Sequence, residues 1–91
     1  MKDLKNKVAY ITGGTKGIGF AVAQTLLNQG MRVAISGRSQ KSVDQALKDF
    51  NNDAVLGIVS DVSKMTDEKN AVSKIMEKWG QLDVVLANAG V

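Results

Sequence analysis

Chemistry in this chain concentrates in one stretch, Thr12-Gly13-Gly14-Thr15-Lys16-Gly17-Ile18-Gly19. An apolar, β-prone run, Val8-Ala9-Tyr10-Ile11, leads into it, and a helical pattern from Ile18 to Asn28 leads out. A strand that breaks at glycines and restarts as a helix aims several unbonded backbone N–H groups at one point. With the helix dipole they make a site for an anion, most often a phosphate. Gly13 suits the tight turn out of the strand, Gly17 leaves room for a pyrophosphate against the backbone, and Gly19 permits close packing of helix on sheet. Gly14 falls at a variable position of this pattern. A P-loop is the nearest alternative, because Gly14 and Gly19 have its glycine spacing. Phe20 and Ala21 stand where that loop requires Lys and Ser or Thr, so the alternative fails.

A second group of residues bears on which nucleotide would bind. In a dinucleotide site an acidic residue about twenty positions beyond the glycines holds the ribose 2′-OH. Here the second apolar run ends Ser36-Gly37-Arg38-Ser39 with no acid nearby, and Asp44 lies more than a helical turn further on. A carboxylate would repel a 2′-phosphate, whereas the Arg38 guanidinium would bind one in bidentate fashion. Lys16 can bring a second cation to the same phosphate. The pattern favours NADP(H) over NAD(H).

The elements that must position these groups follow from periodicity. Residues 7–12 read as a buried strand, and the helix after it carries Ile18, Val22 and Leu26 at i, i+4, i+8, closed by Gly30. Residues 32–36 form a second buried strand. Ser39 can N-cap a helix with Val43, Ala46, Leu47 and Phe50 on its apolar stripe. Residues 54–60 are a third strand. Ser63 and Thr66 could each cap the third helix, and Thr66 is favoured because Asp67 and Glu68 then fall in the first turn. Its stripe is Ala71, Val72, Ile75, Met76 and Trp79, ended by Gly80, and residues 82–87 are a fourth strand. Alternating strands and helices imply βαβ units and a parallel sheet. Right-handed crossovers then give the strand order 3-2-1-4, with the first two helices on one face and the third on the other. The glycine stretch falls at the switch point of that sheet, where ligands bind.

Composition removes other classes. With 91 residues the chain makes one domain at most, and a fold of that size buries about 60–65% of its unfolded surface. It has no Cys, hence no disulfide or thiolate metal site, and no His, the commonest metal ligand and general base. The net charge of +3 comes from lysines interspersed with acids, a solvated mixed surface and not a nucleic-acid stripe. No apolar run approaches the ~20 residues of a membrane span. The first six residues lack a signal-peptide core, so a cytoplasmic setting is expected.

Thr12-Gly13-x-x-x-Gly17-x-Gly19 resembles the cofactor motif of the short-chain dehydrogenase/reductase family, whose glycine spacing differs from that of other Rossmann enzymes. Asp61-Val62 resembles the family's pair that accepts from the adenine amino group. Asn88-Ala89-Gly90 resembles the last three residues of its Asn-Asn-Ala-Gly, with Ala87 in place of the first Asn. The resemblance implies a Rossmann-type doubly wound parallel sheet, with residues 1–91 as the N-terminal cofactor-binding half of a single domain. It implies a cofactor site of Gly13, Thr15, Lys16, Gly17, Ile18, Gly19, Arg38, Ser39, Asp61, Val62, Asn88, Ala89 and Gly90. The family's catalytic Ser and Tyr-x-x-x-Lys are absent, since the single tyrosine is Tyr10 and Gly14 stands four residues on. The expected parent is an NADP-dependent oxidoreductase passing hydride between the nicotinamide and a small carbonyl or alcohol substrate, and a homo-oligomer. The competing expectation is a fragment that binds nucleotide or self-associates without catalysis.

Overall fold

The computed structural model describes residues 4–61 and 63–88. Seven elements alternate: β1 (Val8–Thr12), α1 (Gly17–Asn28), β2 (Arg32–Gly37), α2 (Gln40–Phe50), β3 (Val55–Val59), α3 (Met65–Trp79) and β4 (Val84–Ala87). The four strands form one parallel sheet in the order β3-β2-β1-β4, as expected from the sequence. Every residue of β1 and all but Arg32 of β2 are buried, because these strands are central and covered on both faces. That two-sided burial is why their sequences are apolar without alternation.

The side chains of β1 divide the core in two. Ala9 and Ile11 join Val33 and Ile35 beneath α1 and α2, with Ala23, Leu27, Ala46 and Phe50 above them. Phe20 stacks on Phe50 at 4.2 Å between ring centroids, tying α1 to α2. Val8 and Tyr10 face the other way and meet Ala34, Ile58, Ala71 and Ile75 beneath α3.

Helix ends follow local chemistry. Gly30 (φ +86°) closes α1, with the Gly30 amide bonded to the Leu27 carbonyl and the Met31 amide to that of Leu26. Ser39 caps α2, its hydroxyl accepting from the Ser42 amide at 3.1 Å. Gly80 (φ +71°) ends α3.

Four expectations need correction. The buried stripe of α1 is Gly19, Ala23 and Leu27, one residue on from Ile18, Val22 and Leu26; Ile18 is 68% exposed. The helix rotates this way because its N-terminus lies so close to Gly13, Gly14 and Asn88 that only glycine fits at the contact. Neither Ser63 nor Thr66 caps α3, which starts after Lys64 with no side-chain cap. The chain turns earlier instead: the Lys64 amide bonds to the Asp61 carbonyl, and the Asp67 carboxylate reaches back to the Asp61 amide at 2.9 Å. On α3, Ala71 and Ile75 are buried and Trp79 partly so, whereas Val72 and Met76 lie open. β4 begins at Val84, because the Asp83 carboxylate binds the Val8 amide at 2.8 Å and serves as a terminal rung. That bond, with a second from the Gln81 amide group, holds the Asp83 carboxyl below its usual range.

Candidate functional site

A cleft of about 1020 Å³ opens beyond the carboxyl ends of the strands. It is lined by the loop from Gly13 to Ile18, the end of β2 with the start of α2, the end of β3, and Asn88 after β4. Among the site residues expected from the sequence, Gly13, Thr15, Lys16, Gly17, Ile18, Arg38, Ser39, Asp61 and Asn88 line this one cleft. Val62, Ala89 and Gly90 lie outside the described residues.

Gly19 lies behind the lining, in the buried wall. A Cβ there would come within 2.8 Å of the Gly13 carbonyl oxygen and 2.5 Å of the Asn88 side-chain nitrogen, so the start of α1 rests directly on the loop. Gly13 and Gly17 hold φ of +69° and +65°, a region that side chains other than glycine's disfavour. Gly14 departs from its reading as a variable position. It is buried, and a Cβ would sit 2.6 Å from Cγ2 of Ile35, so the loop packs onto β2 through Gly14.

The start of α1 supplies donors. Lys16 occupies the N-cap position in an extended conformation and offers no side-chain cap. The first helical amide with a backbone acceptor is that of Phe20, bonded to the Lys16 carbonyl at 3.4 Å. The amides of Gly17, Ile18 and Gly19 have no backbone acceptor among the described residues and face the cleft end of the helix. The Gly13 amide is different: it donates to the Ser36 hydroxyl at 3.3 Å and is used internally.

Asn88 fixes the far wall. Its amide donates to the Thr12 hydroxyl at 2.9 Å, and its side-chain nitrogen lies 3.4 Å from the Gly13 carbonyl oxygen. Across the cleft, Asp61 Oδ1 accepts from the Ser63 hydroxyl at 2.7 Å and the Ser63 amide at 3.0 Å. These two bonds, and more weakly the nearby Lys64 and Arg38 charges, hold the Asp61 carboxyl below its usual 3.8. Oδ2 is left without a partner among the described residues. Arg38 is exposed at the end of β2, and Asp44 is bonded to Gln40 at 2.8 Å on the outer side of α2, away from the cleft.

Ser36, Gly37, Ser42, Ser60 and Ser63 also line the cleft and were missed by sequence reasoning. A usable signal exists for two of them. Ser36 and Ser60 are buried polar residues ending apolar strand runs on the face beneath α3. Gly37 had none, since it is needed only because Thr15 would be 2.6 Å from a Cβ there.

The chain matches the short chain dehydrogenase family over residues 7–91. It belongs to that family. It is 42% identical over 90 residues to the Homo sapiens dehydrogenase/reductase SDR family member 2, mitochondrial, covering 97% of this chain and 32% of that protein. In structure it is similar to a short chain dehydrogenase from Bacillus anthracis str. 'Ames Ancestor', with a TM-score of 0.89 and 32% identity over 94% of this chain and 35% of that one. It is likewise similar to 3-ketoacyl-(acyl-carrier-protein) reductase from Brucella melitensis, solved with NADH, at a TM-score of 0.84 and 31% identity over 91% of this chain and 34% of that one. The chain thus spans about a third of the length of these family members. No helix among the described residues is long and apolar enough to cross a membrane.

Proposed function

We propose that this chain is the NADP(H)-binding part of a short-chain oxidoreductase that moves hydride between nicotinamide C4 and a carbonyl or alcohol substrate. The observation that carries the cofactor choice is the pairing of Lys16 and Arg38 on one cleft whose β2 end has no carboxylate. The only acid soon after β2, Asp44, is turned away and bonded to Gln40. Ser39 and Ser42 add neutral hydroxyls beside Arg38, a donor set suited to a phosphate and not to a bare ribose diol.

The remaining residues fit a dinucleotide. Amides of Gly17, Ile18 and Gly19 face the place where a pyrophosphate would sit, and a Cβ at Gly19 would push that helix end away. Asp61 Oδ2, without a partner among the described residues, would accept from an adenine amino group. Val62, Ala89 and Gly90 belong to the same proposed set through their family positions. The cofactor supplies the hydride chemistry; these residues bind and orient it. The proposal keeps the cytoplasmic setting and homo-oligomeric state expected from the sequence.

The test is a titration of the full-length protein that carries this chain. NADPH should bind more tightly than NADH, and Arg38→Asp should abolish or reverse the preference. A charge-assisted hydrogen bond contributes about 1.5–3 kcal/mol, so the preference should be about ten- to a hundredfold. Equal affinity of the unmutated protein for the two nucleotides would overturn the assignment to NADP(H).

A further inference from the structure

Two neighbouring acids on the first turn of α3, Asp67 and Glu68, both hold the end of β3. They are half-buried, whereas Met65 and Thr66 beside them are exposed. The Asp67 carboxylate accepts from the Asp61 amide at 2.9 Å. Glu68 Oε1 accepts from the Ser60 hydroxyl at 3.3 Å, and its Oε2 accepts from the Tyr10 hydroxyl at 3.0 Å. Ser60 and Tyr10 are 2% and 1% exposed, so Glu68 fastens the start of α3 to buried groups on two strands. Both acids also sit where the helix dipole favours negative charge.

The consequence falls on Asp61. Its amide is bonded to Asp67, and its carbonyl accepts from the Lys64 amide at 2.9 Å. Its Oδ1 takes two bonds from Ser63. Oδ2 is the one polar atom of this cleft residue without a partner among the described residues. Ser63 and Lys64 are exposed and belong to the same turn as Asp61, so they shape the turn without anchoring it. Asp67 is the side chain that ties the turn to the helix. An acceptor held in this way loses little freedom when a donor meets it.

We propose that Asp67 is a positioning residue for the nucleotide base: on a helix start anchored by Glu68 to Tyr10 and Ser60, it fixes the Asp61 backbone and so presents the remaining carboxylate oxygen to the base's amino group. The effect on nucleotide binding rests on the function proposed above; the effect on the Asp61 amide does not. NADP(H) and NAD(H) carry the same base, so the choice between them does not enter.

The experiment uses Asp67→Ala and Asp67→Asn in the full-length protein that carries this chain. Asn keeps an oxygen that can accept from the Asp61 amide, and Ala does not. Hydrogen exchange at the Asp61 amide is read without nucleotide. NADPH and NADH are then titrated, each beside its deamino form, in which oxygen replaces the adenine amino group. Exchange at Asp61 should quicken about tenfold in Asp67→Ala, and the Kd of the amino nucleotides should rise about fivefold, as for one weakened hydrogen bond. The Kd of the deamino forms should stay within about twofold, since they offer Asp61 no amino group. Asp67→Asn should retain most of both the protection and the affinity. Unchanged Asp61 exchange in Asp67→Ala would overturn the proposal, whether or not the protein binds nucleotide. Equal weakening of the amino and deamino forms would overturn it too, reducing Asp67 to a support of the fold. So would equal affinity of the unmutated protein for the two forms. Asp61 exchange that depends on Asp67, in a protein that binds neither NADPH nor NADH, would support the hold on Asp61 and remove the nucleotide function.

Discussion

The two faces of the sheet are built differently. Under α1 and α2 the contact is apolar throughout: Ile11 and Ile35 meet Ala23 and Ala46, with the Phe20–Phe50 stack closing the gap between the helices. Under α3 only the lower half is apolar. There Val8, Ala34 and Ile58 pack on Ala71 and Ile75, while the half nearest the cleft holds Tyr10 and Ser60 bonded to Glu68, and Ser36 accepting from the Gly13 amide. Among the described residues α3 is the one helix on its face, and Val72 and Met76 are 37% and 44% exposed. The difference separates two tasks. Within these residues one face is apolar throughout, and the other combines apolar packing with side-chain hydrogen bonds, one of which reaches the glycine loop.

Breaking the apolar face should have the largest effect. Phe50 is 6% exposed and stacked on Phe20, so truncation removes both its burial and the ring contact. Phe50→Ala is expected to cost about 3–5 kcal/mol in chemical denaturation of the protein that carries this chain. The matching change on the other face, Met76→Ala, truncates a side chain that is 44% exposed and should cost clearly less than Phe50→Ala. Equal losses from the two would show that α3 is packed as fully as α1 and α2, against its exposure here.

How far these features were legible follows from the same division. β1 and β2 could be read because burial on both faces demands uninterrupted apolar runs, and the right-handed crossover rule then left few strand orders. The rotation of α1 could not. Periodicity ranks Ile18 above Gly19 for the core, but at a helix–loop contact this close a hydrogen is preferred to a side chain. Ser36 and Ser60 carried a signal, as polar residues ending apolar strand runs, but it did not reveal their partners. A serine ending a strand looks like a turn residue until the register puts it beside Tyr10 and Glu68. Arg38, Lys16 and Asp61 were legible because their positions depend only on local offsets from strand ends, which the fold preserves.

The polar half of the α3 face should betray itself in alkali. Burial, with the Glu68 bond adding to it against an opposing Ser36 bond, pushes the Tyr10 phenol from 10.0 to about 12. The folded state thus keeps its proton where the unfolded state releases it. The corresponding stability is complete below about pH 10 and is lost as the pH rises toward 12, because there the unfolded chain binds fewer protons. Unfolding free energy measured between about pH 9 and about pH 12 should fall, and Tyr10→Phe should remove that part of the fall. An identical alkaline profile in both proteins would mean that the phenol is not held by its surroundings.

The smallest expected effect tests the helix starts on the two faces. α2 begins on a side-chain cap, with the Ser39 hydroxyl accepting from the Ser42 amide and sitting 2.8 Å from the Ser42 hydroxyl. α3 has no such cap, and Thr66, the residue whose type best suits one, is exposed and makes no cap bond. Ser39→Ala should therefore cost about 1 kcal/mol, the usual value of an N-cap hydroxyl. Thr66→Ala should be neutral within about 0.5 kcal/mol, as an exposed position away from any special contact. The bond that replaces a cap on α3 is the Asp67 carboxylate on the Asp61 amide, so Asp67→Ala should be the costly change there, at about 1 kcal/mol. Denaturation midpoints of the three variants decide between the two starts. A loss at Thr66 matching that at Ser39, with none at Asp67, would mean that α3 is capped by its own threonine after all.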